Sequence, residues 1–194
     1  SNSGTTELTL ANGACWDMTA SSTVTGLDHE NGGLVNMQYN PAYQRLDVGT
    51  YNGNGGIFRV KTDMDSQTYG DKVYMKSSTA GSHGLVQVHD ESFLLGKEVT
   101  GTKHLLLITD YSNKDTDGNY SFGNATFSGT DLDDGGLWDV TPTIQRGDYV
   151  RDTMGVADAK DNEWYLTKLE RKVNKDTISL MKAADNSYAL YRLD

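Results

Sequence analysis

The sequence predicts an all-β fold: a right-handed parallel β-helix of a few coils, closed by a C-terminal β-hairpin cap and followed by a short C-terminal helix. One observation is composition, because 21 glycines against 2 prolines in 194 residues are typical of a turn-rich β protein. A second is alternation: in Ile57–Thr62 the odd-numbered side chains are expected to face one way and the even-numbered ones the other. The third is recurrence of short strands, which indicates one solenoid coil per repeat.

The recurring unit is a glycine turn that leads directly into a strand. Three copies align, the last of them more loosely: Gly32–Met37, Gly55–Val60 and Gly84–Val88. The short strands before them contain Leu27, Leu46 and Val73, which gives steps of 19 and 27 residues. In a parallel β-helix the inward side chains of successive coils stack. The predicted core is therefore Leu27, Leu34, Leu46, Val48, Phe58, Val60, Val73, Leu85 and Val88.

The segment Asn52–Gly56 is predicted to be the tight turn around which the coils are organised. Glycine and asparagine tolerate positive φ, so the backbone can reverse here just before the strand that begins at Ile57. The earlier strands are expected within Thr5–Thr19 with a break at Ala11–Gly13, and at Thr23–Thr25, Leu34–Tyr39 and Arg45–Tyr51.

After Val88 the pattern becomes less regular, and this half is predicted to form hairpins that cap the coils. Leu105–Ile108 is the most continuous apolar run and predicts a strand buried on both faces. Asp110–Gly118 is polar, with no strand character, and alternation returns in Tyr120–Phe127. Further short strands are predicted at Gly136–Pro142, Asp148–Val150 and Glu163–Lys172.

The last segment changes character and predicts a helix. Asp176 is the expected N-cap. The apolar positions that follow recur at roughly helical spacing: Ile178, Met181, Ala184, Tyr188 and Tyr191.

Five short motifs in this order resemble the pertactin-like C-terminal part of the autotransporter (type V secretion) passenger, which contains the autochaperone region. Cys15–Leu27 is similar to its W-x-(M/L)-T … S-x-V-x-x-L opening, and Asn52–Val60 to its L-x-G-N-G-G-x-F-x-(L/M) motif. Gly70–Val73 with Ala80–Val88 resembles G-D-x-(L/V) … A-x-G-x-H-x-L-x-V, and Asn162–Leu166 resembles the closing x-W-Y-L. The resemblance covers roughly residues 11 to 170.

The resemblance implies a role in secretion rather than catalysis. Residues 1–90 would be parallel β-helix coils, 91–175 an autochaperone-like β cap, and 176–194 the start of a helical linker toward an absent membrane β-barrel. The segment would nucleate and cap passenger folding at the cell surface, outside the outer membrane of a Gram-negative-type bacterium, as part of an adhesin. Its implied partners are the upstream passenger β-helix and the barrel of the same polypeptide, and no cofactor is implied.

Two other classes of function remain open from the residues. A binding module would contact host glycan, matrix, other host surface ligands or another copy of the chain, and would show an exposed aromatic or polar groove along the coils. A polysaccharide-degrading β-helix enzyme would show converging Asp, Arg and Lys in a cleft. The carboxylate pairs available for that chemistry are Asp63 with Asp65 and Asp133 with Asp134.

Charge and cysteine content narrow the choice further. The formal net charge of −10 argues against nucleic acid and anionic membranes as partners. The single cysteine, Cys15, cannot form an intramolecular disulfide and is expected to be a small buried residue. With no signal peptide and no long apolar run, the chain is expected to be a piece of a longer protein that neither exports nor anchors itself.

The candidate metal ligands are weak, and no residue is assigned a catalytic, cofactor-binding or metal role. Asn113–Gly118 has the N-x-D-x-D-G pattern that begins a calcium loop, but its twelfth position is Asn124 instead of the bidentate Glu. It is therefore expected to be an acidic turn, as is Asp131–Gly135. His83 and His89 are six residues apart, and two histidines alone do not make a zinc site.

Overall fold

The computed structural model describes the backbone of residues 4–191 and the side chains of residues 4–187. Within that range thirteen strands belong to one mixed sheet, so the predicted all-β class is confirmed. The strands are β1 (Glu7–Leu10), β2 (Cys15–Asp17), β3 (Ser22–Glu30), β4 (Leu34–Asn36), β5 (Arg45–Asp63), β6 (Tyr69–Gly70), β7 (Lys72–Ser78), β8 (His83–Asp90), β9 (Leu105–Asp110), β10 (Thr126–Gly129), β11 (Leu132–Asp133), β12 (Trp138–Arg146) and β13 (Glu163–Val173). The helices are α1 (Glu91–Leu94), α2 (Gly147–Asp152) and α3 (Lys175–Tyr191).

Most of the sheet consists of two parallel ladders that share β5. The first ladder is β1-β3-β5-β7-β9, in which paired residues are 19, 24, 27 and 35 positions apart in sequence. The second ladder is β2-β4-β5-β8-β10, with offsets of 19, 23, 28 and 43 residues. The first half of β5 belongs to the first ladder and the second half to the second.

The register confirms the alignment of the three turn-and-strand copies. Leu34 pairs with Ile57, and Ile57 pairs with Leu85. The predicted step from Leu46 to Val73 is also a real pairing, whereas the predicted step from Leu27 to Leu46 is wrong. Leu27 pairs with Tyr51 instead, because β3 and β5 are offset by 24 residues rather than 19.

The core lies between the two ladders and agrees with most of the predicted residues. Seven of the nine are buried: Leu27, Leu46, Val48, Phe58, Val60, Val73 and Val88. Leu34 and Leu85 are only half-buried, so their assignment to the core was wrong. Both are in register with Ile57 on the outward face, and the residues that point inward beside them are Val35 and Val86.

The predicted turn at Asn52–Gly56 is wrong, because this segment lies inside the 19-residue strand β5. Its glycines serve close packing and a local bend. A Cβ on Gly53 would come within 2.5 Å of the Tyr51 ring, and one on Gly56 within 2.1 Å of the His29 ring. Gly55 has φ +86°, beside a register shift between Asn54 and Gly56, so the strand bends there without ending.

The pairing changes from parallel to antiparallel at β9. This strand pairs in parallel with β7 on one side and antiparallel with β13 on the other, and β13 continues to β12 and β11. We call β11, β12 and β13 the antiparallel layer. The predicted strands Leu105–Ile108, Gly136–Pro142 and Glu163–Lys172 correspond to β9, β12 and β13.

The predicted strand at Asp148–Val150 is wrong, since these residues form helix α2. One helical turn buries Val150 against Ala159 and Tyr165 and leaves Tyr149 exposed. Asp148 lies in the first turn of α2, where its negative charge interacts favourably with the positive end of the helix dipole. It also forms an ion pair with Arg146.

Helix α3 confirms the predicted C-terminal helix but begins two residues earlier than expected. Asn174, not Asp176, caps it: its side-chain oxygen accepts hydrogen bonds from the amides of Asp176 (3.1 Å) and Thr177 (3.0 Å). Leu180 is exposed, and the side chains of Tyr188 and Tyr191 lie outside the described residues. Of the helices within residues 4–191, none is long and apolar enough to span a membrane.

The alternation of β5 and β8 leads to a testable difference between an inward and an outward residue. We expect Phe58→Ala to lower the free energy of unfolding by about 3–5 kcal/mol, because it leaves a cavity beside His29 and Tyr51. Leu85→Ala, on the outward face, should cost clearly less. Denaturant unfolding of the two variants measures the difference, and equal losses would contradict the assignment of faces.

Candidate binding site

A groove of about 600 Å³ crosses the outward face of the first ladder. Three strands supply its floor, because alternate residues of β3, β5 and β7 point away from the core. The segment that follows β9 supplies the remaining lining of the groove, through Tyr111, Lys114 and Tyr120. The side chains on this face that line it are Thr23, Thr25, Arg45, Asp47, Tyr74, Lys76, Tyr111, Lys114 and Tyr120.

Three tyrosines form a continuous row along the groove, and we call Tyr74, Tyr111 and Tyr120 the tyrosine row. The rings of Tyr74 and Tyr111 are nearly parallel, with centroids 6.5 Å apart, and Tyr120 meets Tyr111 edge-on at 4.7 Å. A cation lies over each end of the row: Arg45 at 3.9 Å from the Tyr74 centroid and Lys114 at 4.8 Å from that of Tyr120. Tyr120 is 41% exposed, so the row remains accessible to solvent.

Arg45 is held in place by a two-point ion pair with Asp47. Its Nε lies 2.8 Å from one carboxylate oxygen, and its Nη2 lies 2.7 Å from the other. This hydrogen bonding raises the pKa of the guanidinium. Lys76 and Lys114 also line the groove, and neither forms an ion pair with a carboxylate among the described residues.

The segment that carries Tyr111 and Tyr120 is fixed by the fully buried Asp110 at the end of β9. One carboxylate oxygen accepts a hydrogen bond from the Ser112 amide (3.0 Å), and the other accepts from the Ala125 amide (3.0 Å) and the Ser78 hydroxyl (2.5 Å). The two ends of the 111–125 segment are thereby fastened to β7 and to each other. The tyrosine row thus stands on a braced loop.

Gly49 keeps the floor of the groove free of a side chain. A Cβ at this position would lie 2.3 Å from the carbonyl oxygen of Thr25, a contact that real Cβ atoms do not make. The close approach of β3 and β5 therefore requires glycine here, and this leaves room above the strand for a ligand.

Lys114, from the calcium-like segment Asn113–Gly118, lines the groove. The Asp115 carboxylate accepts hydrogen bonds from the amides of Asp117 (3.0 Å) and Asn119 (2.8 Å), which closes the turn. This turn pairs Lys114 with Tyr120 and so positions both at the end of the tyrosine row. Across the part of the chain that the structure describes, no three His, Cys, Asp or Glu side chains are grouped so that they could hold a metal ion.

The other candidate residues lie apart from the groove. His83 is exposed, and the His89 ring lies 3.8 Å from Asp134. Asp65 accepts hydrogen bonds from the amide and hydroxyl of Thr100, which lower its pKa. Asp133 accepts a hydrogen bond from the amide of Gly135 in an exposed turn.

Cys15 is exposed, so the prediction that it is buried was wrong. In β2 it shares the solvent face with Asp17, whereas Trp16 between them is half-buried and points toward the core. Its Sγ lies 3.5 Å from an Asp17 carboxylate oxygen. Local burial and this carboxylate raise the pKa of the thiol, which disfavours the reactive thiolate.

Sequence reasoning overlooked a buried histidine. His29 is fully buried and in contact with Phe58, with ring centroids 4.7 Å apart. Its Nε2 lies 3.0 Å from the carbonyl oxygen of Gly33 and donates to it, so its Nδ1 faces the Tyr51 hydroxyl at 3.5 Å. Burial lowers the pKa of His29 to about 4. The sequence does contain a sign of this residue, because His29 is a polar residue at an inward position of β3.

In comparisons with known proteins, no protein-family model and no curated protein matches the chain.

Because folding lowers the pKa of His29, the histidine should make stability depend on pH. The unfolded chain takes up its proton below the ordinary pKa near 6.5, but the folded chain does so only near pH 4. This contribution is fully present above pH 6.5 and falls by as much as about 3 kcal/mol between pH 6.5 and 4. We expect His29→Gln to flatten this part of the curve of unfolding free energy against pH.

The matched control is His83→Gln, which should leave the curve unchanged because His83 is exposed. The measurement must be read as a difference from the parent chain, because Asp71 acts in the opposite direction. Burial raises the pKa of Asp71 to about 6, so its contribution is present at low pH and is lost as the pH rises through 6. A His29→Gln curve parallel to the parent would contradict a buried neutral His29.

The acidic turn is expected to be stable without calcium. Asp117→Ala should leave the melting temperature unchanged with and without calcium, since the turn is closed by the Asp115 carboxylate, to which Asp117 contributes only its backbone amide. Asp115→Ala should lower stability by about 1 kcal/mol in both conditions, because two backbone amides lose their acceptor. A rise in melting temperature with calcium that Asp117→Ala abolishes would show a calcium site instead.

Proposed function

We propose that the chain is the C-terminal passenger segment of a pertactin-like autotransporter, which caps and nucleates the folding of a parallel β-helix during secretion. In this proposal the two ladders are two faces of a right-handed β-helix, and β5 runs from one face to the other. The offsets of 19 to 43 residues between paired strands support it, since each is long enough for one coil. Parallel crossovers are almost always right-handed.

The observation that carries the proposal is the difference between the two ends of the first ladder. At one end β1 pairs with β3 and has no other strand partner within residues 4–191; β2 likewise pairs with β4 alone. At the other end β9 is bonded antiparallel to β13. An open parallel edge can accept a further coil, whereas an antiparallel strand ends the series.

The antiparallel layer also covers the apolar end of the core. Trp164 is 8% exposed and meets Phe127 edge-on at 5.6 Å. Arg171 lies over the Phe93 ring at 3.9 Å, and its guanidinium donates to the carbonyl oxygens of Phe93 (2.6 Å) and Lys97 (3.0 Å). These contacts join β13 to the segment after β8 and are those expected of a cap.

Such a cap can act as a folding nucleus for physical reasons. The first contacts of a β-helix are unfavourable, because chain entropy is lost before the ladder is formed. A stable terminal coil offers a ready edge of backbone amides and carbonyls on which the preceding coil can pair. Each new coil then adds only a nearest-neighbour contact.

The proposed setting follows from this role. The partners are the upstream passenger β-helix and a membrane β-barrel of the same polypeptide, with α3 as the start of the linker between them. The location is the outer surface of a Gram-negative-type bacterium, and the proposal assigns no catalytic residue, cofactor or nucleic acid. A second candidate function, ligand binding, is favoured by the tyrosine-lined groove.

The proposed role predicts how the chain unfolds alone and when joined to its upstream coils. Followed by far-UV circular dichroism in denaturant, the isolated chain should be folded, and in the longer chain its transition should come last. Trp164→Ala should lower its stability by about 3–5 kcal/mol and slow the refolding of the upstream coils. Trp138→Ala, at a 36% exposed position, is the matched control and should do neither.

Two outcomes would overturn the proposal. The isolated chain could be unfolded, or it could melt before the upstream coils, and either would leave no template at the C-terminal end. Equal effects of Trp164→Ala and Trp138→Ala on upstream refolding would also show that the covered core end has no special part in folding.

A further inference from the structure

We propose that the tyrosine-lined groove is a binding site for an acidic oligosaccharide, with sugar rings against the tyrosine row and carboxylate or sulfate groups against Lys76 and Lys114. This inference is independent of the proposed role in secretion, because the site is complete within the isolated chain. It rests on the groove's shape, its aromatic lining and its local charge.

The lining suits a pyranose ring. Such a ring has an apolar face of C–H groups and a rim of hydroxyls, and therefore binds best where aromatic surface and hydrogen-bonding groups alternate. The tyrosine row supplies the aromatic surface, and the hydroxyl-bearing side chains of Thr23 and Thr25 line the same groove. An open groove of this kind fits a chain of sugars better than a compact metabolite.

The local charge identifies the ligand as acidic. The chain has a formal net charge of −10, yet the groove is lined by three cations, Arg45, Lys76 and Lys114, against one carboxylate, Asp47. The ion pair neutralises Arg45, so the two lysines remain to meet an anion. Exposed charges act only within about 8–10 Å at physiological salt, so the acidic remainder of the surface does not cancel them.

The same features disfavour a nucleic acid, although nucleic acids also combine stacking with negative charge. A single strand carries one phosphate per nucleotide and needs a basic groove along its whole length. Two lysines on a strongly acidic chain do not provide one. A saccharide with a charge on only some of its rings requires no more than these two.

The site is preorganised for this ligand. Asp110 braces the ends of the loop that carries Tyr111 and Tyr120, and the Arg45–Asp47 pair fixes one face of Tyr74. Gly49 leaves the floor open. Binding therefore orders few side chains, which limits its entropic cost.

The test is calorimetric titration of the full chain with four probes of similar length. These are a hyaluronan tetrasaccharide with a carboxylate on alternate rings, a κ-carrageenan-type tetrasaccharide with a sulfate on alternate rings, neutral maltotetraose and a short single-stranded DNA. At least one acidic sugar should bind about tenfold or more tightly than maltotetraose and the DNA, and its affinity should fall as salt is raised. Whether the uronate or the sulfated sugar binds more tightly identifies the anionic group.

Variants assign the binding to the groove. Tyr120→Ala, and Lys76→Gln combined with Lys114→Gln, should each weaken the acidic sugar by about tenfold or more, and the lysine changes should also reduce the salt dependence. The matched controls are Tyr69→Ala and Lys182→Gln, which change exposed residues away from the groove and should bind as the parent does. Because all five positions are solvent-accessible, the melting temperature should hold in every variant.

Three results would overturn the proposal. One is no binding of either acidic sugar, and another is equal binding of the neutral sugar. The third is tighter binding of the DNA than of both acidic sugars, which would assign the stacking surface to a nucleic acid. Loss of a folding role in the longer chain would leave all of these readouts unchanged, so the two proposals fail separately.

Discussion

Three buried aspartates, Asp71, Asp90 and Asp110, hold the backbone where strands of the two ladders begin or end, and the rest of the structure depends on these contacts. Each is at most 2% exposed, and each accepts hydrogen bonds from two backbone amides. A parallel sheet with long connections creates such amides at every corner, and burying one unpaired is costly. Burial raises the pKa of Asp71, whereas the hydrogen bonds that its carboxylate accepts from the amides of Gln44 and Lys61 lower it. Desolvation and hydrogen bonding therefore oppose each other at Asp71.

Part of the register could be predicted from the sequence, namely the alignment of Leu34, Ile57 and Leu85, but the inward face of these strands could not. Three glycine-led copies aligned correctly because in each a glycine directly precedes the residues that pair, Leu34, Ile57 and Leu85. Phase within a strand is a separate question, since a shift of one residue moves every side chain to the other face. Consistent use of the alignment would have grouped Leu34 and Leu85 with Ile57 on the outside. The prediction of a turn at Asn52–Gly56 was wrong for another reason. The glycines of this segment make room for the rings of Tyr51 and His29, and contacts between residues distant in sequence leave no local pattern.

The groove was hidden from sequence reasoning because its parts come from different strands and a loop. Tyr74 and Tyr111 are 37 positions apart and become neighbours only through the 35-residue offset between β7 and β9. The segment that carries Lys114 has a calcium-loop pattern, but Asp115 uses its oxygen for the amides of its own turn. The alternation of side chains along the strands did predict that the sheet has an outward face, and the groove lies on that face.

The antiparallel layer and the groove depend on the same strand. β9 is where parallel pairing gives way to antiparallel pairing, and it ends at Asp110, whose carboxylate fixes the loop of the tyrosine row. The amide of Tyr111 is itself bonded to the carbonyl of Met75 in β7 (2.8 Å). The tyrosine row can therefore assemble only after β9 has docked on the first ladder. Docking of β9 also supplies the edge on which β13 pairs, so the antiparallel layer and the tyrosine row both depend on the same contact between β7 and β9.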